Sequence, residues 1–281
     1  MNETIISIKD LHYAYPGDKM ALNGINLDIK KGERIAVIGS NGAGKSTFFL
    51  NLNGVLAPED GEIYFKGQKM TRDKKDLNTL RKSIGIVFQD ADNQIIASTV
   101  MGEVSFGPMN LKLPKDEVIR RVDEALEYMN ITDFKERPPH YLSGGEKKRI
   151  TIADIIAMHS EVIVFDEPTA ALDPLNAEML EEVLKKLSAQ EKTMLISTHD
   201  VDFAYRWAER AIVFCDGTII ADTTPVEVFS NETILKRANL KKPMMLEVYN
   251  SMVTKGMLPD DHIYPKDIAA FKALIEQEQN N

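Results

Sequence analysis

One stretch constrains this chain more than any other. Gly39, Ser40, Asn41, Gly42, Ala43, Gly44, Lys45, Ser46 and Thr47 follow the apolar run Ile35-Ala36-Val37-Ile38 and precede a helix-forming segment at 45–53. This is the G-x-x-x-x-G-K-[ST] pattern in the strand-to-helix setting that a phosphate loop requires. Glycines at 39, 42 and 44 let the backbone wrap closely, so that successive N–H groups and the helix start face an anion. Lys45 is expected to reach the β- and γ-phosphates, and the Ser46 hydroxyl to ligate Mg²⁺. The bland alternative is a glycine-rich turn, but a chance match in a chain of this length arises about one time in a hundred. The sequence therefore predicts nucleoside triphosphate binding.

Many classes of enzyme use such a loop, so other residues must choose among them. Val162-Ile163-Val164-Phe165 is a second continuously apolar run, as expected for a strand buried on both faces of a parallel sheet, and it ends in Asp166 and Glu167. Asp166 is placed to hold the Mg²⁺ shell, and Glu167 to polarise an attacking water. Further upstream, Leu142-Ser143-Gly144-Gly145-Glu146 opens a helix. Ser143 is a good N-cap, and the glycines are expected to leave the first N–H groups open to an anion. The chain thus carries two anion-binding helix starts. If they cannot both reach one nucleotide, a head-to-tail pair with two-fold symmetry resolves the geometry.

Short β-branched runs at 5–8, 34–38, 63–65, 84–88, 162–165, 194–197, 211–215 and 218–221 alternate with helix-like stretches at 45–53, 116–129, 144–158, 176–189 and 201–207. The runs at 63–65 and around the Asp216-Gly217 turn read as antiparallel, with one wet side. No strand is expected from 114 to 158, so a helical subdomain interrupts the sheet. Thr223-Thr224-Pro225 opens a tail with helices expected at 232–238, 244–255 and 266–277. Its methionines at 244, 245, 252 and 257 are expected to fill a small core or an interface.

In chain order, the phosphate loop 39–47, Gln89, the stretch 142–146, the strand 162–167, Ala171-Leu172-Asp173 and His199 resemble the motif set of the ABC transporter ATPases. The resemblance covers about residues 4–230. It implies an α/β phosphate-loop ATPase (ABC) fold with a mainly parallel core sheet, an antiparallel β subdomain, an inserted helical subdomain and a small helical C-terminal extension. ATPase-domain bounds of 1–228 follow, with the helical subdomain at about 90–158 and a dimer-supporting extension at 229–281. It also implies that Tyr15, more than Tyr13, stacks on adenine, that Gln89 senses the γ-phosphate and Mg²⁺, and that His199 orients the terminal phosphate. The expected catalytic set is Glu167, His199 and Gln89, the expected metal set Ser46, Gln89 and Asp166. Each ATP would lie between 39–47 of one chain and Ser143, Gly144, Gly145 and Glu146 of the other.

A narrower likeness runs through Phe88-Gln89-Asp90-Ala91-Asp92-Asn93-Gln94, Val104-Ser105-Phe106-Gly107, Glu146-Lys147-Lys148-Arg149 and Asn239-Leu240-Lys241-Lys242-Pro243. These are similar to the ATPases of energy-coupling-factor (ECF) importers, most of all the cobalt-type ATP-binding subunit. The likeness implies import of a transition metal ion, cobalt first, with vitamin import through a shared ATPase as the alternative. It implies a second ATPase subunit (a copy or a close paralogue), a transmembrane coupling subunit and a substrate-binding membrane subunit, with this chain peripheral on the cytoplasmic face of the membrane. Three residues depart from the family pattern. Glu146 stands where Gln is commoner, and it adds a negative charge beside the partner's phosphates unless it points away. Ala91 replaces a frequent Pro, and Ala171 a frequent Gly.

Composition narrows the rivals. With 34 Lys+Arg against 43 Asp+Glu, a net charge of −9 and a pI near 5.2, the chain is a poor binder of phosphate backbones. Nucleic acid is therefore not an expected partner, which argues against a soluble ABC ATPase of DNA or ribosomes. Cys215 is the only cysteine, so an internal disulfide and a thiolate zinc cage are ruled out and a reducing compartment fits. MNETIISIKD lacks a signal-peptide pattern, and no apolar run approaches the roughly 18 residues that span a bilayer. His12, His140, His159 and His262 are scattered without ligand spacing. Two charge clusters remain. Lys147-Lys148-Arg149 reads as a solvated helix face; Asp90, Asp92 and Glu103 form an acidic patch beside Gln89, open to ordinary solvation, for which the family resemblance implies contact with Arg from a membrane subunit.

Overall fold

The computed structural model describes residues 3–17, 20–170, 172–259 and 263–279. Two sheets meet at the phosphate loop. A four-stranded antiparallel sheet has the order β2-β1-β4-β5, from β1 (Thr4–Ala14), β2 (Met20–Lys30), β4 (Asp60–Phe65) and β5 (Gln68–Lys69). A six-stranded sheet has the order β10-β9-β3-β8-β7-β6. Its strands are β3 (Arg34–Ile38), β6 (Ile84–Val87), β7 (Val162–Asp166), β8 (Thr193–Ser197), β9 (Arg210–Cys215) and β10 (Thr218–Thr223). All its pairings are parallel except the β9–β10 hairpin.

The continuously apolar strands are buried on both faces, because successive side chains point to opposite sides. Ile35 and Val37 of β3, with Val162 and Val164 of β7, join one core with Phe48 and Phe49 of helix α1 (Lys45–Leu52) and the inner face of the antiparallel sheet. Ala36 and Ile38, with Ile163 and Phe165, join a second core beneath the helices. That second core is roofed by α3 (Val100–Asn110), α4 (Lys115–Tyr128) and α5 (Gly144–Ala157), which pack on one another as the inserted helical layer. The remaining helices are α2 (Lys74–Ser83), α6 (Pro174–Ala189), α7 (Val201–Trp207), α8 (Pro225–Ser230), α9 (Glu232–Ala238), α10 (Met244–Thr254) and α11 (Ile268–Gln279).

The tail is less separate than the turn at 223–225 suggests. Val228, Phe229, Leu235, Ala238 and Leu246 lie in the main core, while Tyr249, Leu258 and Leu274 form a small core of their own. Met245 packs on the main core and Met252 on the small one, whereas Met244 and Met257 are exposed. Strand β2, strand β5 and helices α2, α3 and α8 are additions to the expected elements.

Candidate nucleotide site

The site begins where β3 runs out. Gly39 has φ 145°, and a Cβ there would lie 2.2 Å from the Phe214 carbonyl oxygen of β9. Gly44, at φ 108°, caps α1, and a Cβ there would lie 2.6 Å from the Ala21 carbonyl oxygen of β2. Only glycine fits where a left-handed backbone coincides with so close an approach. The Gly217 N–H donates to the Ala43 carbonyl at 3.1 Å, and the Asn23 N–H to the Gly217 carbonyl at 2.8 Å, which ties the loop to the β9–β10 hairpin and to β2. Lys45 is buried, and its ammonium donates to the carbonyls of Gly39 (2.8 Å) and Ser40 (3.1 Å). Burial lowers its pKa, opposed by the nearby Glu167 and Asp166 carboxylates.

The acidic end is built on two adjacent parallel strands. Ser197, at the end of β8, donates its hydroxyl to Asp166 Oδ1 at 2.5 Å and accepts the Glu167 N–H at 2.9 Å. That single hydroxyl fixes both carboxylate-bearing residues. Glu167 has φ 47°, an uncommon conformation for a residue with a side chain, and its carboxylate is buried against His199. The His199 N–H donates to Glu167 Oε2 at 3.2 Å. His199 Nε2 lies 3.0 Å from Oε1 but out of line for a hydrogen bond, so Oε1 is a buried acceptor without a hydrogen-bonding partner. Burial raises the Glu167 pKa, with His199 and Lys45 pulling the other way.

These groups converge on a cavity of about 500 Å³ lined by Tyr15, Met20, Ala21, residues 41–47, Gln89, Asp166, Glu167, His199, Asp216 and Gly217. Tyr15 is 39% exposed, and its hydroxyl sits 3.3 Å from the Thr47 hydroxyl, with Tyr13 edge-on at 5.1 Å. Gly39 and Ser40 face a contiguous cavity that shares Asn41 and His199 and takes in Leu240 and Lys241 of the tail. Sequence reasoning missed Met20, Ala21, Asp216, Gly217 and Ser197. Ser197 had a signal, since it ends a predicted strand two residues before His199.

Ser143, Gly144, Gly145 and Glu146 do not line the cavity. Ser143 caps α5 in a capping box: its N–H donates to Glu146 Oε2 at 2.7 Å, its hydroxyl contacts the same oxygen at 2.8 Å, and the Glu146 N–H reaches back to the Ser143 hydroxyl. Glu146 therefore turns its charge onto its own helix start, and these hydrogen bonds lower its pKa. Gly144 is open, but Gly145 is not. A Cβ at Gly145 would meet the Asn176 side chain of α6 at 2.6 Å, so its missing side chain serves packing between α5 and α6.

Both charge clusters differ from expectation. Lys148 is 4% exposed and donates to the carbonyls of Phe88 (2.7 Å) and Gln89 (2.6 Å), while Lys147 pairs with Asp92 at 2.6 Å. Burial pushes the Lys148 ammonium down to about 8. The basic run is thus a clasp and not a solvated face. Of the acidic patch only Glu103 is withdrawn: it is 3% exposed and accepts the N–H groups of Ile96 and Ala97, whereas Asp90 and Asp92 stay exposed. Asp90 caps the 3-10 turn at Ala91–Asn93, and Asp92 is held by Lys147. Ala91 is buried in that turn, and Ala171 and His262 fall outside the described residues.

A phosphate loop, a strand-end carboxylate pair and a facing histidine at the edge of a mainly parallel sheet define a nucleoside triphosphatase. The ABC transporter family model matches residues 22–170. The ECF transporter ATP-binding protein EcfA of Methanocaldococcus jannaschii is 47% identical over 91% of this chain and 91% of its own length. The solved structure of CbiO1 from Clostridium perfringens, part of the ABC transporter complex CbiONQ, matches with TM-score 0.74 and 39% identity over 89% of this chain and 99% of that one. The cassette MJ0796, a dimer in a post-hydrolysis state bound to ADP and phosphate, matches with TM-score 0.70 and 32% identity over 79% and 99%. The chain belongs to the ABC transporter ATPase family, in its energy-coupling-factor branch, as an ATP-binding subunit that hydrolyses ATP to drive transport.

Proposed function

We propose that two such subunits close head to tail around two ATP molecules, each held by residues 39–47 of one chain and 143–146 of the other. The observation that carries this reading is that one chain presents two glycine-bearing helix starts, at 44–45 and at 143–145, of which only the first lines its own cavity. The dimeric ADP- and phosphate-bound cassette supports it.

In the proposed chemistry Tyr15 stacks on adenine, the 39–47 amides and Lys45 hold the phosphates, and Glu167 takes the proton of the attacking water through Oε1, which accepts no hydrogen bond within the chain. His199 holds the Glu167 carboxylate in place and serves the terminal phosphate, with Gln89 lining the same cavity. The Ser46 hydroxyl, the Gln89 amide and the Asp166 carboxylate bring hard oxygen donors to one cavity, a set that fits Mg²⁺. Mg²⁺ bound there supplies charge neutralisation of the β- and γ-phosphates.

Among the described residues no helix is long and apolar enough to cross a membrane. Transport thus draws on membrane subunits, a coupling subunit and a substrate-binding one, which hold this chain at the cytoplasmic face. The likeness to the cobalt-type subunit supports a transition metal ion, cobalt first, as cargo, with a vitamin as the alternative. The test of the assembly is mass: Glu167→Gln with ATP should run at twice the monomer mass by light scattering, and Glu167→Gln with Ser143→Arg should stay monomeric. A monomeric Glu167→Gln that binds ATP would overturn the reading.

A further inference from the structure

We propose that Lys148 is the positioning residue that ties the nucleotide site of its own chain to the helix start presented to the second subunit. This rests on the shared-site reading above. Lys148 stands on α5, just over one turn beyond Ser143, and its ammonium donates to the carbonyls of Phe88 and Gln89, the two residues that follow strand β6. Gln89 lines the nucleotide cavity, whereas Ser143 does not. One buried side chain therefore joins the Gln89 backbone directly to the helix that starts at Ser143.

The clasp has two flanking supports. Lys147 pairs with Asp92, and the Phe88 N–H donates to the Gln94 amide oxygen at 3.1 Å, with the Gln94 amide in turn facing Asp154 of α5. Of these contacts, only that of Lys148 reaches the Gln89 backbone. The Asp90 and Asp166 carboxylates favour its charge, while burial opposes it. A buried ammonium cannot be left without acceptors at small cost. When Gln89 shifts toward a bound γ-phosphate, its carbonyl must carry Lys148 and the start of α5 along. Nucleotide in one site then sets the angle at which Ser143 and Gly144 meet nucleotide held by the other chain. The link is a physical contact shared by two elements, which is what coupling between sites requires.

The test is hydrogen exchange on the full chain, with and without ATP and Mg²⁺, at a concentration where its mass is that of a monomer. Working with monomers removes direct contact of a partner with residues 143–149. Calorimetry on the same samples reports ATP binding. Wild type should show an ATP-dependent change in exchange across 143–149. Lys148→Met should bind ATP as wild type does, yet lose that change by about fivefold or more. Lys148→Arg, which keeps the donors, should restore it, and Lys147→Ala should leave it intact. If Lys148→Met proves unfolded, the wild-type experiment still decides: bound ATP with no change at 143–149 overturns the proposal. An unaltered change in ATP-bound Lys148→Met overturns it too. Absence of ATP binding would instead count against the site reading itself.

Discussion

The carboxylate of Glu167 is gripped by His199 from one side only: the His199 N–H donates to Oε2 at 3.2 Å, while its ring nitrogen stands 3.0 Å from Oε1 without aligning on it. Oε1 thus remains a buried acceptor beside the phosphate loop. Buried polar atoms without partners are uncommon and costly, and they concentrate where function needs them. Glu167→Gln keeps the shape and removes the base. It should retain ATP binding and lower turnover by about 10²–10⁴-fold, read by steady-state hydrolysis. Turnover near that of wild type would remove Glu167 from the role.

Ser197 carries a second expectation. Its hydroxyl joins Asp166 Oδ1 to the Glu167 N–H within a fully buried strand end. Ser197→Ala leaves a buried N–H unsatisfied, which should cost about 1–3 kcal/mol in chemical denaturation. It should also raise the Mg²⁺ concentration needed for half-maximal hydrolysis, since Asp166 loses the donor that orients it. A variant with normal Mg²⁺ dependence would show that Asp166 is positioned by its strand alone.

Much of this architecture is legible in the residues. The runs at 35–38 and 162–165 announce buried parallel strands because both faces are apolar, and the phosphate loop and Asp166-Glu167 sit at their ends. Elements were missed where the local signal conflicts with the outcome. Helix α3 contains Gly102, Gly107 and Pro108, and burial of Val100 and Val104 overrides those weak formers. Strand β2 alternates cleanly only in its second half, where Ile25, Leu27 and Ile29 are buried in step. Leu22 is buried too, but it falls out of that step, and the pairing with β1 shifts register between Leu11 and Tyr13 to accommodate it. Lys148 is the clearest case. Periodicity reports which face of a helix is polar, and cannot report that one ammonium on that face finds two carbonyls about sixty residues earlier in sequence.

The helical layer gives a pH expectation. Asp154 of α5 is buried beside Glu103 of α3, faces the Gln94 amide and the Gly107 N–H, and has its pKa raised to about 7 from 3.8. The folded state therefore holds a proton that the unfolded state releases between roughly pH 4 and 7, so stability falls as pH rises through that window. The loss is on the order of 4 kcal/mol by pH 8. Asp154→Asn should flatten that fall in urea denaturation curves taken at pH 5 and 8. Parallel curves for the two proteins would place the slope in other groups.

Glu146 separates capping from catalysis. Glu146→Ala removes the carboxylate half of the capping box and should cost about 0.5–2 kcal/mol. Glu146→Gln can still accept the Ser143 N–H, so it should recover most of that stability and hydrolyse ATP at least as fast. A large loss of hydrolysis in Glu146→Gln would mean that the charge itself is needed.

The shared site is the central claim, and complementation between two inactive chains tests it most directly. Ser143→Arg blocks the helix start that a chain lends, and Lys45→Ala disables the phosphate loop that it keeps. Alone, each variant should be inactive. Mixed, they should form heterodimers in which one site pairs an intact Lys45 with an intact Ser143, and ATP hydrolysis should return. Activity that stays at the level of the separate variants, in a mixture shown by light scattering to contain dimers, would contradict a site built from two chains.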